Sequence, residues 1–143
     1  MTELLVVVRV RGSINLSQDM KRTFEQLNLN NKNWCIISKK EPSAVGMINK
    51  VKDYVTWGEI SDEVLKQLVE KRGDLYKSRV EDSKSKINYN KYVELNGKKY
   101  KKVFRLSPPK KGYGRKGIKH PFSQGGALGY RADKIKDLLE RMM

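Results

Sequence analysis

The first sixty residues alternate between short apolar runs and amphipathic stretches. Residues 4–8 form a continuous apolar run rich in valine, which predicts a strand that is buried at its start. Similar runs at residues 34–38 and 54–57 predict two further strands. Between the runs, apolar residues spaced three and four apart predict two helices. Ser17 is expected to cap the first helix, and Pro42 suits the first turn of the second.

The order strand, helix, strand, helix, strand predicts an α+β core. The connections are long enough for crossovers, so we expect neighbouring strands to be parallel, with Gly58 ending the third. Two helices on one face of a small sheet make a two-layer core whose second face must be covered by an extension or a partner. We therefore divide the chain into a core of residues 1–60 and an extension of residues 61–143.

The extension differs from the core in its predicted elements and in its composition. Ser61 and Gly73 are expected to bound a helix, and Asn96-Gly97 predicts a hairpin turn between residues 93–95 and 100–106. Residues 110–129, here called the basic loop, are rich in glycine and cations and show no apolar periodicity. Residues 132–142 predict a closing amphipathic helix. The extension should thus consist of helices around a basic loop without a core of its own.

The charge of the chain is concentrated in one segment. The sequence holds 31 Lys and Arg against 16 Asp and Glu, a net charge of +15 at pH 7. Residues 84–119, the basic segment, contain 13 basic groups and one acidic group, and therefore carry +12 of that total. So uneven a distribution needs a polyanion or counterions beside it. Because an amphipathic helix follows, we interpret the segment as an arm tethered at both ends that binds nucleic acid.

The residues needed for catalysis are scarce. Cys35 lies in an apolar strand and is predicted to be a buried structural thiol, whereas His120 lies in the basic loop. Residues 112–117 match the pattern G-x-G-x-x-G, but prolines on both sides prevent the strand–turn–helix arrangement of a dinucleotide site. We therefore expect that the protein is not an enzyme and that it binds no cofactor, no metal and no small-molecule substrate. With no long apolar stretch and no leader pattern, we expect neither a membrane-spanning nor a secreted protein.

Several short motifs in both halves of the chain occur together in one known family. They are Gly46-Met47-Ile48-Asn49-Lys50-Val51, Arg9-Val10-Arg11-Gly12, Tyr54-Val55-Thr56-Trp57-Gly58, Lys71-Arg72-Gly73, Arg105-Leu106-Ser107-Pro108-Pro109, Lys119-His120-Pro121, Gly125-Gly126 and the closing helix. In these motifs the chain resembles the large-subunit ribosomal protein family numbered thirty in bacteria and seven in eukaryotes. Bacterial members stop near the end of the third strand, so the extension resembles the archaeal type.

The resemblance implies a ferredoxin-like βαβαβ core and a cytoplasmic, ribosomal location. It further implies binding to large-subunit ribosomal RNA near the 5S RNA, neighbouring ribosomal proteins as partners, and no catalysis. From the family motifs and the basic loop together we predict thirteen RNA-binding residues: Arg11, Gly12, Asn15, Gly46, Asn49, Lys50, Arg105, Lys110, Lys111, Arg115, Lys116, Lys119 and His120.

Three alternatives stay open at this point. Gly46 costs about 1 kcal/mol inside a helix compared with Ala, which either an approaching RNA backbone or tight packing of helix on sheet would explain. The chain could be a free-standing RNA- or DNA-binding module outside the ribosome. The third alternative, a nucleotide-dependent enzyme, is supported by the glycine pattern alone.

The few tyrosines among the lysines allow occasional base stacking, so recognition of backbone and shape is expected to dominate.

Overall fold

The computed structural model of the chain describes residues 4–73, 75, 92–95 and 98–143. Two short 3-10 turns, Phe122–Gln124 and Ala132–Lys134, lie in the second half. The longer elements are β1 (Leu4–Arg9), α1 (Gln18–Gln26), β2 (Trp34–Lys39), α2 (Pro42–Lys50), β3 (Val55–Ile60), α3 (Asp62–Arg72), β4 (Tyr92–Leu95), β5 (Lys98–Lys101), β6 (Val103–Arg105), β7 (Gly129–Tyr130) and α4 (Ile135–Met142).

The main sheet has the strand order β6-β2-β1-β3-β7. β1 pairs antiparallel with both β2 and β3, so the predicted parallel pairing of neighbouring core strands is wrong. The connection from β1 to β2 begins and ends at the same end of the sheet, where the backbone N–H of Asn33 donates to the carbonyl of Arg9 at 2.7 Å. The connection through α2 crosses the sheet, and it places β3 on the far side of β1.

Both faces of the sheet are covered by helices. Leu5 and Val7 of β1 pack with α1 and α2, whereas Val6 and Val8 point to the opposite face and pack with α3 and α4. The α+β class and the ferredoxin-like βαβαβ order are confirmed. The extension covers the face that the two-layer core leaves open, as expected. The division of the chain at residue 60 stays a prediction.

Gly58 lies in the middle of β3 and does not end it, contrary to expectation. A Cβ atom at this position would meet the Ala132 carbonyl and would lie 2.7 Å from Cβ and Cγ2 of Ile135. The glycine therefore allows the start of α4 to pass directly over the sheet, a role that the strand pattern does not reveal.

The predicted hairpin exists, but its second arm is divided. β4 pairs antiparallel with β5, and Leu95 opposite Lys98 leaves a two-residue connection, Asn96-Gly97, which lies outside the described residues. The expected arm of residues 100–106 is split between β5 and β6, and β6 joins the main sheet beside β2. A single long arm is thus wrong, because Phe104 is fully buried in the core of the main sheet.

The helix ends follow the local signals in the sequence. The Ser17 hydroxyl accepts the Met20 backbone N–H at 3.3 Å, and Pro42 occupies the first turn of α2. Ser61 stands at the N-cap of α3 without a side-chain hydrogen bond. In α4 the predicted apolar stripe is fully buried: Ile135, Leu138, Leu139 and Met142. None of the described helices is long and apolar enough to cross a membrane.

Candidate nucleic-acid interface

Most of the residues predicted to bind RNA lie on the surface. Arg11 is partly buried and the other twelve are exposed. Asn15 has a φ of 61°, in the left-handed region, within the exposed turn after β1. Many residues of the chain are exposed, so exposure alone does not identify an RNA-binding site. The position of each residue in the fold determines which of them can contact the same RNA segment.

The start of the basic loop is fixed by the last turn of α4. The backbone N–H of Lys110 donates to the Arg141 carbonyl at 3.1 Å, and the Arg141 guanidinium donates to the carbonyls of Lys110 and Gly112 at 3.3 and 2.6 Å. Lys111 and Gly112 both have positive φ values, 67° and 78°, so the backbone turns sharply here. The closing helix thus positions the first cations of the loop.

The rest of the loop folds back on itself. The backbone N–H groups of Gly126 and Ala127 donate to the carbonyls of Pro121 and His120, each at 2.9 Å. A Cβ atom at Gly126 would lie 2.6 Å from Cβ of His120, so only glycine allows this approach. The glycine cluster therefore closes a turn within the loop.

The loop also has a small core, contrary to expectation. Ala127 and Leu128 are buried with Val10 in one apolar cluster, and Tyr113 packs against it. The Tyr113 hydroxyl donates to the Asn33 side chain. Burial raises the Tyr113 pKa to about 12, because the effect of burial is larger than the opposite effect of the nearby Arg131 charge, which lowers the pKa. The burial of Leu128 and Tyr113 cannot be predicted from the loop alone, because Val10, against which they pack, lies more than 100 positions away in the core.

Arg131 joins the basic loop to the core, a role that no motif in the sequence predicts. Its guanidinium donates to the Thr56 hydroxyl at 2.8 Å and to the carbonyls of Ala127 and Tyr113 at 2.9 and 3.3 Å. It also lies over the Phe122 ring at 4.5 Å. Burial lowers the Arg131 pKa to about 10, so the group remains charged at neutral pH. Nothing local distinguishes this arginine from a solvated one.

Arg9 performs a similar task for the turn after β1. Its side chain donates to the Leu29 carbonyl at 2.6 Å, the Ser13 hydroxyl at 2.9 Å and the Arg11 carbonyl at 3.0 Å. The guanidinium lies 4.0 Å from the centroid of the Phe24 ring, and burial lowers its pKa. Arg9 is therefore a buried organiser of the turn that exposes Gly12 and Asn15.

The structure brings core and loop residues together around one groove beside β3. Arg11, at the end of β1, and Lys52, after α2, share this groove with Lys119 of the basic loop. Its volume is about 510 Å³, and Tyr54, Trp57 and Asp53 also line it. We call it the aromatic groove. Residues from opposite ends of the chain thus form one basic rim.

The remaining predicted residues lie in other places. Lys111 and Arg115 line a second groove of about 570 Å³ together with Lys134 and Arg141. Arg105 shares a smaller groove with Lys71 and Arg72 at the end of α3. On α2, Lys50 pairs with Asp19 of α1, with 3.9 Å between Nζ and Oδ2. None of the α2 candidates lines any of these three grooves.

The surroundings of Gly46 exclude tight packing of α2 on the sheet as the reason for a glycine in this helix. It is exposed, and among the described residues no atom outside its own helix would lie within 4 Å of a Cβ atom at this position. Tight packing of α2 on the sheet therefore does not explain the glycine. An approach by another molecule stays a prediction.

The described residues that were candidates for catalysis or nucleotide binding do not form a catalytic or nucleotide-binding site. Cys35 is fully buried, and burial raises the pKa of its thiol, whereas His120 is exposed in the basic loop. Residues 112–117 form turns between other loop residues and are not followed by a helix that could hold a phosphate. The described residues include no cluster of metal-ligating side chains. The chemistry that the exposed surface offers is binding of anions.

Fold and surface together define an α+β protein whose helices cover both faces of the sheet and whose cations line open grooves. The family described as Ribosomal protein L30p/L7e matches residues 5–55. The chain is also similar along nearly its whole length to archaeal proteins named large ribosomal subunit protein uL30. It is 43% identical to that of Nanoarchaeum equitans, covering 96% of this chain and 97% of the relative. For Methanococcus vannielii the identity is 45%, with the same coverage, and for Methanopyrus kandleri it is 40%, covering 94% and 100%. The chain belongs to the L30p/L7e family of ribosomal proteins.

These relatives also decide between the open alternatives. The predicted family and its archaeal type are confirmed, because relatives of that type match the extension as well as the core. Their names are those of ribosomal proteins and not of enzymes, in agreement with the prediction that the chain is not an enzyme. They give no support to a free-standing RNA- or DNA-binding module.

Proposed function

We propose that this chain is a structural constituent of the large ribosomal subunit and works in the cytoplasm as part of the ribosome. It binds ribosomal RNA and neighbouring ribosomal proteins. The aromatic groove carries the proposal: Arg11, Lys52 and Lys119 reach one rim from three separate parts of the chain. Held by Arg9 and Arg131, this rim is already formed in the folded protein and can follow a phosphate backbone.

The proposal extends to the position of the protein on the ribosomal RNA. The thirteen predicted residues would contact large-subunit RNA near the 5S RNA, with the basic loop entering a crevice and α2 lying against the RNA at Gly46. The open space above Gly46 supports this orientation, because a phosphate backbone can come closer there than to any other residue type. Hydroxyl-radical footprinting of ribosomes with and without this protein would locate the contacts, and unchanged 5S RNA and neighbouring helices would contradict the placement.

Sedimentation of a cell lysate tests the ribosomal role directly. The protein is expected to travel with the large subunit and with the complete ribosome, and to leave the subunit in high salt, because its contacts are largely ionic. A control centrifugation of ribonuclease-treated lysate should release it. Recovery only in the slowly sedimenting fraction of an untreated lysate would contradict the proposal.

Removing cations from the basic loop is expected to change the salt dependence of RNA binding. Replacing Lys110, Lys111, Arg115 and Lys116 with Ala should reduce the slope of log affinity against log salt by about 3, since each lost phosphate contact contributes roughly 0.7–0.9. Titration of the full chain with large-subunit RNA at 50–200 mM salt measures the slope, and circular dichroism should show an intact fold.

A matched variant distinguishes loop cations from net charge. It replaces four exposed lysines that lie outside the loop and line none of the three basic grooves: Lys21, Lys39, Lys66 and Lys136. It removes the same number of charges and is expected to retain most of the slope. Equal slopes for the two variants would show that the loop has no special role.

A further inference from the structure

The aromatic groove offers more than positive charge. Trp57 of β3 lies opposite Tyr130 of β7 in the parallel register, and their ring centroids are 6.2 Å apart with planes tilted by 42°. Tyr130 is 50% exposed at the edge of the sheet, whereas Trp57 is partly buried and lines the groove. The two rings therefore form an aromatic surface that continues from the groove to solvent.

The cations at the rim are oriented by the protein itself. The Arg11 guanidinium lies 4.8 Å from the centroid of the Tyr54 ring and donates to the Asp53 carbonyl at 3.4 Å. Lys119 is exposed and reaches the same groove from the basic loop. Since both the ring and the carbonyl hold Arg11, its charge is directed toward the groove at little further cost in side-chain entropy.

The contents of the groove suit a nucleotide better than a bare phosphate. Arg11, Lys52 and Lys119 attract phosphate oxygens at the rim, but the acidic residue Asp53 lines the same groove, and its negative charge disfavours a second anion. The aromatic faces offer nothing to phosphate, whereas a nucleobase stacks on such faces whatever its sequence. A volume of about 510 Å³ has room for one nucleotide, and the bases of a duplex are already stacked on each other.

We propose that the aromatic groove binds one unpaired RNA nucleotide, its base against Trp57 and Tyr130 and its phosphate between Arg11 and Lys119. The inference rests on the proposed function, since it assumes that the partner is RNA. It adds a position of base stacking to a surface that otherwise reads backbone and shape.

Fluorescence of Trp57 reports directly on stacking. In a full-length Trp34→Phe variant, Trp57 is the one remaining tryptophan, because the sequence has two. Three probes are compared: a single-stranded oligoadenylate of eight nucleotides, a fully paired RNA hairpin with a short closed loop, and inorganic polyphosphate. The oligoadenylate is expected to quench the fluorescence. Polyphosphate should bind in low salt without comparable quenching, and the hairpin should quench weakly.

Two substitutions at Tyr130 separate stacking from hydrogen bonding. Tyr130→Ala is expected to weaken oligoadenylate binding about tenfold with an unchanged salt slope, as stacking is not ionic. Tyr130→Phe keeps the ring and loses only the hydroxyl that donates to Glu59 at 3.1 Å, so its affinity should stay within about twofold. Because Tyr130 is exposed at a sheet edge, both variants should fold, which circular dichroism verifies.

The outcomes distinguish this inference from the proposed function. Salt-dependent binding of RNA without quenching of Trp57, or equal quenching by polyphosphate, would overturn the stacking site and leave the RNA-binding role intact. Equal losses in Tyr130→Ala and Tyr130→Phe would assign the effect to the Glu59 hydrogen bond and also overturn it. If neither RNA binds in a salt-dependent manner, the proposed function itself fails.

Discussion

Replacing Phe104 with Ala is expected to lower the free energy of unfolding by about 3–5 kcal/mol, the range for truncating a buried aromatic side chain. Phe104 is fully buried on β6, opposite Cys35, and packs in the apolar cluster shared by the sheet, α3 and α4. Since whole domains are stable by about 5–15 kcal/mol, this loss would remove a large part of the total. Urea unfolding of the isolated chain, followed by tryptophan fluorescence, measures it.

Ile14 supplies the control for this experiment. It is equally apolar but 84% exposed in the turn after β1, so Ile14→Ala should change the free energy of unfolding by no more than about 0.5 kcal/mol. A loss below about 1 kcal/mol for Phe104→Ala would mean that β6 is not part of the core in solution.

Adding one methyl group at Gly58 is expected to be nearly as costly. In Gly58→Ala the new Cβ would lie 2.7 Å from Cβ of Ile135 and against the Ala132 carbonyl, so α4 must move away from the sheet. Overpacking of this kind costs about 1–3 kcal/mol, and we expect the upper end because backbone as well as side chain is in the way. Urea unfolding gives the loss of stability, and faster hydrogen exchange of the α4 amides would locate it.

Gly46 offers the opposite case. It is also a glycine inside a regular element, but a Cβ there has open space, so Gly46→Ala should raise the free energy of unfolding by about 0.5–1 kcal/mol. The two variants add the same methyl group and should change stability in opposite directions. Destabilisation by both would contradict the packing described for α2.

The features that could be predicted from the sequence depend on neighbours along the chain. Ser17 caps α1 because its hydroxyl reaches a backbone N–H three residues away, and Pro42 begins α2 because its φ already suits a helix. The stripe from Ile135 to Met142 is buried as the helical period requires. The charge distribution likewise marked a basic loop whose cations are exposed.

The features that escaped prediction depend on contacts between distant residues. Arg131 and Thr56 are 75 positions apart, yet their 2.8 Å hydrogen bond helps to hold the basic loop on β3. A buried arginine and a solvated one look the same in a sequence, because only their surroundings differ. The same holds for Gly58, which resembles a strand terminator until Ile135 is placed above it.

Local chemistry was thus sufficient for the order of the core elements, the ends of most helices, the α+β class and the position of the charge. The tertiary structure decided that β1 lies between antiparallel neighbours, that β6 joins the main sheet and that Arg11 meets Lys119 in one groove. The reason is physical. Caps, periodicity and charge act over a few residues, whereas strand direction and the composition of a groove depend on which distant segments bury their apolar faces together.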